Sequence, residues 1–394
     1  THRQSLTLYN ETLEMWGKKA PEETNGDDRK KDHGGIREEV LKSINADELD
    51  VLVRLNVEIG KSHANLVEGV KSAHAYQDAF EILKNSPAAK DFKDRTTVFP
   101  IFSGLCLALK WGNIKDDEGC SYEQELVQRF VDETVLHGDP VHTCRALAMQ
   151  GNLLARLGKY EEALDSQWRL ESMYSTEKHS AGICKCYGSD RAAQNFGLAA
   201  QWLELQGKKE EADKQVHMTL EKVMPQQEAR NVHNSYMIVY PVLWIIKHRG
   251  NASRAWKVFE TFIVDPFNEH FGKDVTTWYL PMFQPLKMLF SLAGGKFDEP
   301  KGKWDEMEDY VLSKKVGFFK NILESVGSQL GRDSSSIVAE ICLVLAKNSE
   351  KEDRQKELIE KGCEFAKASL QRTKEAIHGL PEKNLTFQEF SRLT

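Results

Sequence analysis

From residue 36 onward, apolar side chains recur with a period near 3.6 residues, the spacing that gathers them on one face of a helix. No run alternates with the period of two that a half-buried strand needs. Residues 1–16 carry the same helical spacing in LTLYNETLEMW and predict an N-terminal helix. The following GKKAPEETNGDDRKKDHGG is charged and almost free of apolar residues, so 17–35 reads as a flexible loop. Helix boundaries are legible as well. Asp139 precedes Pro140, an N-cap followed by a proline at the first helical position. Asn85-Ser86-Pro87 and Met224-Pro225 read as stops. The expected class is all-α.

A turn inside this pattern repeats. LLARLGKYEEAL (153–164) reads as a helix end, a short turn at Gly158 and a helix start. Seven residues before that turn stands Gly151, with Leu147 and Leu154 around it. Tyr160, Ala163 and Leu164 open the next helix. Small residues at 151 and 163 predict that two helix backbones approach closely there. FGLAAQWLELQGKKEEADKQVHMTLEKVMP has the same order, with Phe196, Ala200, Leu203, Gly207, Ala212 and a closing Pro225. MIVYPVLWIIKHRGNASRAWKVFETFIVDP follows with Gly250, Ala255, Phe259 and Pro266, and an earlier stretch offers Gly69, Ala75 and Pro87.

This grammar resembles the tetratricopeptide repeat, a helix pair with Leu-Gly before the turn and Tyr-x-x-Ala after it. The turn glycines lie 49 and 43 residues apart, against 34 in that family, so long helices or inserts must fill the difference. STEKHSAGICKCYGSDR (175–191) is the expected insert. The resemblance implies an α-solenoid of stacked antiparallel helix pairs over 36–300. Residues 301–394, with SSIVAEICLVLAKN and QKELIEKGCEFAKASLQ, are expected to continue or cap the array as further helix pairs. The alternative architecture is a compact, irregular helical bundle.

In the family, the first helix of each pair lines a concave groove that holds a peptide or helix of a partner protein. Carried over, the resemblance implies a lining of Arg145, Asn152 and Arg156, then Gln194, Gln201 and Glu204, then Tyr240, Trp244, Lys247 and His248. Arginines, amides and aromatics together suit a segment with acidic and apolar character. Tyr240 and Trp244 fit a core role equally well. A carboxylate clamp of the family's kind is not expected, because Ala148 stands where its lysine would be.

Composition narrows the classes further. The 394 residues are 40% hydrophobic and 29% charged, the balance of an ordinary folded protein. A net charge of −7 argues against a nucleic-acid partner. The longest apolar runs, such as MIVYPVLWII (237–246), are too short for membrane insertion. Seven cysteines, odd in number and scattered, point to reduced thiols and an intracellular, cytoplasmic setting. The chain opens THRQSLTLYN without an initiator methionine, so it is expected to be part of a longer protein and organellar import stays open. Worn helical arrays also follow the switch domain of large signalling ATPases of the AAA and STAND kinds, and such a sensor segment is one expectation for this chain.

Candidate chemistry is sparse. Gly60-Lys61-Ser62 ends a phosphate-loop signature whose first glycine would fall at 55, where Leu55 stands. His179, Cys184 and Cys186 could offer soft metal ligands, as could His142 with Cys144, but a closed zinc site needs a second pair that the sequence does not supply. Asp32-His33 falls in the loop, KWDEMEDY (303–310) reads as a solvated helix face, and no nucleophile elbow is present. The expected function is therefore a non-catalytic scaffold for a protein or peptide partner, without cofactor. The alternative is a helical enzyme or small-ligand protein using the central groove. Helical prenyl-type enzymes need an aspartate-rich helical motif, and Asp116-Asp117-Glu118 lies in a polar stretch instead.

Overall fold

The computed structural model describes residues 42–65, 69–88, 95–111, 121–226, 232–266, 269, 338–347 and 349–377. The predicted N-terminal helix, the 17–35 loop, Asp116-Asp117-Glu118 and KWDEMEDY lie outside the described residues. Among the described residues there is no strand, and no helix is long and apolar enough to cross a membrane. The all-α expectation holds. Two units divide the chain, residues 1–146 with 185–188 and residues 147–184 with 189–394.

The first unit contains α1 (Ala46–Asn65), α2 (Gly69–Asn85), α3 (Val98–Trp111) and α4 (Ser121–His137), each packed on the one before it. Helix α1 opens on a reciprocal cap. The Asn45 side chain accepts from the amides of Asp47 and Glu48, and the Glu48 carboxylate accepts from the Asn45 amide. Four bonds' worth of orphaned donors at a helix start make such a cap favourable. Leu49, Leu52, Val53 and Val57 then turn one face of α1 into the core. Phe99 to Cys106 of α3 are all buried, so this helix runs through the middle of the unit. Helix α5 (Pro140–Arg156) starts as predicted, with Asp139 Oδ1 accepting from the Val141 amide at 2.8 Å. Helix α2 ends before Ser86-Pro87, also as predicted.

The second unit is built around one turn used three times. It links α5 to α6 (Tyr160–Met173), α8 (Arg191–Leu205) to α9 (Lys209–Met218), and α10 (Val232–His248) to α11 (Ala252–Phe259). At each turn the glycine (158, 207 or 250) has φ between +74° and +76°. Its amide donates to the carbonyl three residues back, and the next amide donates to the carbonyl five back. This Schellman geometry satisfies the last carbonyls of the helix and requires a left-handed residue, which glycine supplies without a Cβ clash. Five residues past each glycine stands an alanine, Ala163, Ala212 or Ala255, fully buried. Its amide closes the first turn of the next helix on Lys159, Lys208 or Asn251. No neighbour lies within 4 Å of a Cβ built at Gly207, so Gly207→Ala isolates the backbone term. Urea denaturation is expected to register a loss of about 1 kcal/mol.

Close approach is real where small residues predicted it. A Cβ at Gly151 would stand 3.2 Å from Trp202 Cη2 and from Asn195 Nδ2, and 3.3 Å from the Ala163 carbonyl oxygen. Ala163, Leu164, Ala199, Trp202, Leu203 and Ala212 form one buried cluster, with Leu154 and Tyr160 packed against it. Leu147 and Ala200 are buried too. Helix α8 is the hub, touching α6, α9 and α10. Beyond α9 and α11 the chain widens into single π-helical turns, Thr219–Val223 and Glu260–Val264. Pro225, where a stop was predicted, lies in the short 3-10 turn Met224–Gln226 that follows the first of these.

One expectation is corrected. The stretch 175–191 is no looped insert but mostly helix α7 (Thr176–Tyr187). Ile183 and Tyr187 are buried, four residues apart on one helical face, and that spacing outweighed the polar composition of the segment. Residues 338–347 form α12 and Glu352–Ile377 form α13, a further helix pair in the C-terminal stretch.

Candidate functional site

The residues carried over from the resemblance fall into three groups. The first is buried and therefore not available to a partner. Arg145 is 1% exposed, one of the largest fully buried side chains. Its Nε donates to Ser103 Oγ at 2.9 Å, and the guanidinium lies 5.1 Å from the centre of the Tyr187 ring. His142 Nδ1 and the Tyr187 hydroxyl are 2.6 Å apart. Burial pushes the phenols of Tyr76 and Tyr187 well above their ordinary range, and the charge of Arg145 pulls both back. A guanidinium can be buried this way because its flat faces stack on rings while its edges donate. The cluster pins α2, α3, α5 and the end of α7 together. The expectation that Arg145 lines a surface is corrected. Gln194 is corrected likewise: only 8% exposed, it accepts from Arg191 Nη1 at 2.7 Å.

The second group is half-buried and arranged in register. Counted back from the turn glycines, Asn152, Gln201 and Trp244 occupy the same position of their helices, and Arg156, Leu205 and His248 share another four residues on. All six are half-buried. Asn152 Nδ2 donates to the Ala148 carbonyl and to Asn195 Oδ1, while Asn195 Nδ2 donates to that same carbonyl at 3.1 Å. Asn195 escaped the sequence reading, since an asparagine in a helix interior carries no signal apart from its partner. Tyr240 packs on Tyr236 with ring centres 5.5 Å apart, and Trp244 packs edge-on against His248 at 4.0 Å. Neither Tyr240 nor Trp244 is core. Val239, Val242 and Leu243 take that role in α10.

The third group is spoken for by ion pairs. Arg249, directly before the turn glycine, binds Glu204 of α8 and Asp213 of α9. Lys247 pairs with Glu340 of α12. These bonds tie α8, α9, α10 and α12 at one end and occupy Glu204 and Lys247. His248 sits among them, its imidazole pushed down to about 4 by burial, then by Lys247, with Glu204 pulling the other way. An unfolded histidine titrates near 6.5, so between those values the folded state binds fewer protons. The stabilising contribution is complete above pH 6.5 and is lost as pH falls towards 4. The ring is half-exposed, so solvent screening reduces the effect to roughly 1 kcal/mol. Comparing urea denaturation at neutral and acid pH, His248→Gln should flatten the loss by about that amount.

Among the described residues the candidate metal ligands do not come together. Cys184 and Cys186 lie on α7, about 200° apart around its axis, and do not converge. His179 Nδ1 accepts from the Ser175 amide at 3.0 Å. Among the described residues no group of three or more His, Cys, Asp or Glu side chains is placed to hold a metal ion. Gly60-Lys61-Ser62 lies inside α1, not in a loop. Lys61 Nζ binds Glu58 and the Lys185 carbonyl, and Ser62 is buried. No family model, no curated protein and no solved structure matches the chain.

Proposed function

We propose that the chain is a non-catalytic scaffold, a tetratricopeptide-like helical solenoid that holds an extended or helical segment of a partner protein along its first helices. The reading rests chiefly on one observation: the same Schellman turn, followed by the same buried alanine, joins three helix pairs. Equal turns set equal registers, so equivalent positions on α5, α8 and α10 repeat from pair to pair. In the register of Asn152, Gln201 and Trp244, half-buried side chains offer two amides and an indole. The Gln201 amide can bond a peptide backbone in either sense, Asn152 keeps its amide oxygen as an acceptor while its NH2 is held by Ala148 and Asn195, and an indole offers a large rigid contact at low entropic cost. Ion-paired Glu204 and Lys247 and the buried Arg145 and Gln194 support the scaffold from behind or from its end and are not contacts in this reading.

A display library of random peptides, selected on the immobilised chain, supplies a probe of defined sequence. Titration calorimetry of a selected peptide is expected to lose tenfold or more in affinity with Gln201→Ala and Trp244→Ala combined, about 1.4 kcal/mol. Glu210→Ala, on the exposed side of α9, should bind as the parent does. Selected peptides that bind parent and double variant alike would place recognition elsewhere and end this reading.

A further inference from the structure

The last described helix carries an apolar stripe that its own unit leaves exposed. Helix α13 meets α12 through Leu358, fully buried, and Gly362, whose Cβ would stand 3.1 Å from Cys342 Cβ and 3.4 Å from the Ala339 carbonyl oxygen. One position on from each inward residue, the chain shows apolar groups to solvent. Ile359 is 44% exposed and Leu370 36%, with Cys363 and Ala366 exposed between them. Their spacing of four, three and four is the seam of a two-helix coiled coil. Leu343 of α12, 54% exposed, lies beside Gly362 and widens the same face. Scattered exposed leucines are ordinary; a continuous exposed row at coiled-coil spacing is a docking surface.

We propose that this face joins two copies of the chain, α13 against α13 in antiparallel order. With the two-fold axis between Cys363 and Ala366, Ile359 meets Leu370 of the second copy and Cys363 meets its Ala366. The small central pair lets the helices approach, and the larger pairs close both ends. Charge selects the direction. Glu360 and Lys367 are both exposed and flank the stripe. Seven residues apart on one helix, they stand about 10 Å apart along the axis and do not pair with each other. In the antiparallel arrangement Glu360 faces Lys367 of the second copy, and symmetry makes the bond twice. A parallel pairing would set Glu360 beside Gln355 and Lys367 beside Gly362, with no charge pair at all. Four side chains from each copy put the contact at or below about 1,200 Å², the size of weak, reversible complexes.

Sedimentation velocity on the full chain, from about 1 to 100 µM, should show a monomer–dimer equilibrium in the micromolar range. Glu360→Lys and Lys367→Glu each place like charges in contact and should weaken dimerisation tenfold or more. The combined E360K/K367E chain restores both pairs with reversed sign and should return to within about threefold of the parent. All these positions are exposed, so melting of the three variants monitored by circular dichroism should stay close to the parent's. A parent that sediments as a monomer throughout, or a combined variant no better than the single ones, overturns the proposal, and capture of a different partner on this face without dimerisation overturns it equally.

Discussion

Arg145→Ala is expected to lower the free energy of unfolding by about 3–5 kcal/mol, the range of large side chains truncated in a packed interior. The substitution empties the space between Ser103, Tyr76 and Tyr187, and it removes the bond to Ser103 Oγ and the charge over the Tyr187 ring. Arg145→Met separates the causes. It refills most of the volume with an apolar stem and relieves the cost of a buried cation, but leaves the serine hydroxyl facing a thioether. A loss of about 1–2 kcal/mol is expected, well short of the alanine variant. Urea denaturation of both, with half-buried Arg156→Ala as the control expected near 1 kcal/mol or below, measures the difference. If Arg145→Ala unfolds with the parent's midpoint, the cluster is not the pin described here.

Gly197→Ala is the second large effect, although it adds one methyl group. A Cβ there would fall well inside van der Waals contact with the Ile238 carbonyl oxygen, with Pro241 Cδ 3.6 Å away. The obstacle is the backbone of α10, which cannot rotate aside as a side chain does. Helices α8 and α10 must separate instead, forfeiting dispersion contacts along their length. A loss of about 3 kcal/mol is expected, at the upper end for overpacking. Gly151→Ala supplies the contrast. There the side chains of Asn195 and Trp202 stand at 3.2 Å and the Ala163 carbonyl oxygen at 3.3 Å, so the neighbours need give by only a few tenths of an ångström and about 1 kcal/mol is expected. Equal melting temperatures for the two variants would contradict the packing of α8 on α10.

The amphipathic period, the capping residues and the turn glycines are local properties, and each acts through bonds to residues no more than five positions away. For that reason the all-α class, the helix start at Asp139-Pro140, the stop at Ser86-Pro87 and the three glycine turns with their alanines were legible from the sequence alone. Helix α7 was missed because its apolar face is narrow, resting mainly on Ile183 and Tyr187 amid polar residues. Which face of a first helix is open depends on what packs against it from far along the chain. Arginine at 145 has the sequence character of a surface residue, yet Ser103 and Tyr187, 42 residues before it and 42 after, enclose it. Gln194 is buried too, with Arg191 one turn back on α8 as its bonded partner, and Glu204 and Lys247 are taken up by Arg249 and Glu340. Burial and pairing across such separations are sums over contacts that only the tertiary structure brings together, and those sums left Asn152, Gln201 and Trp244 half-open while closing the arginine that the sequence ranked beside them.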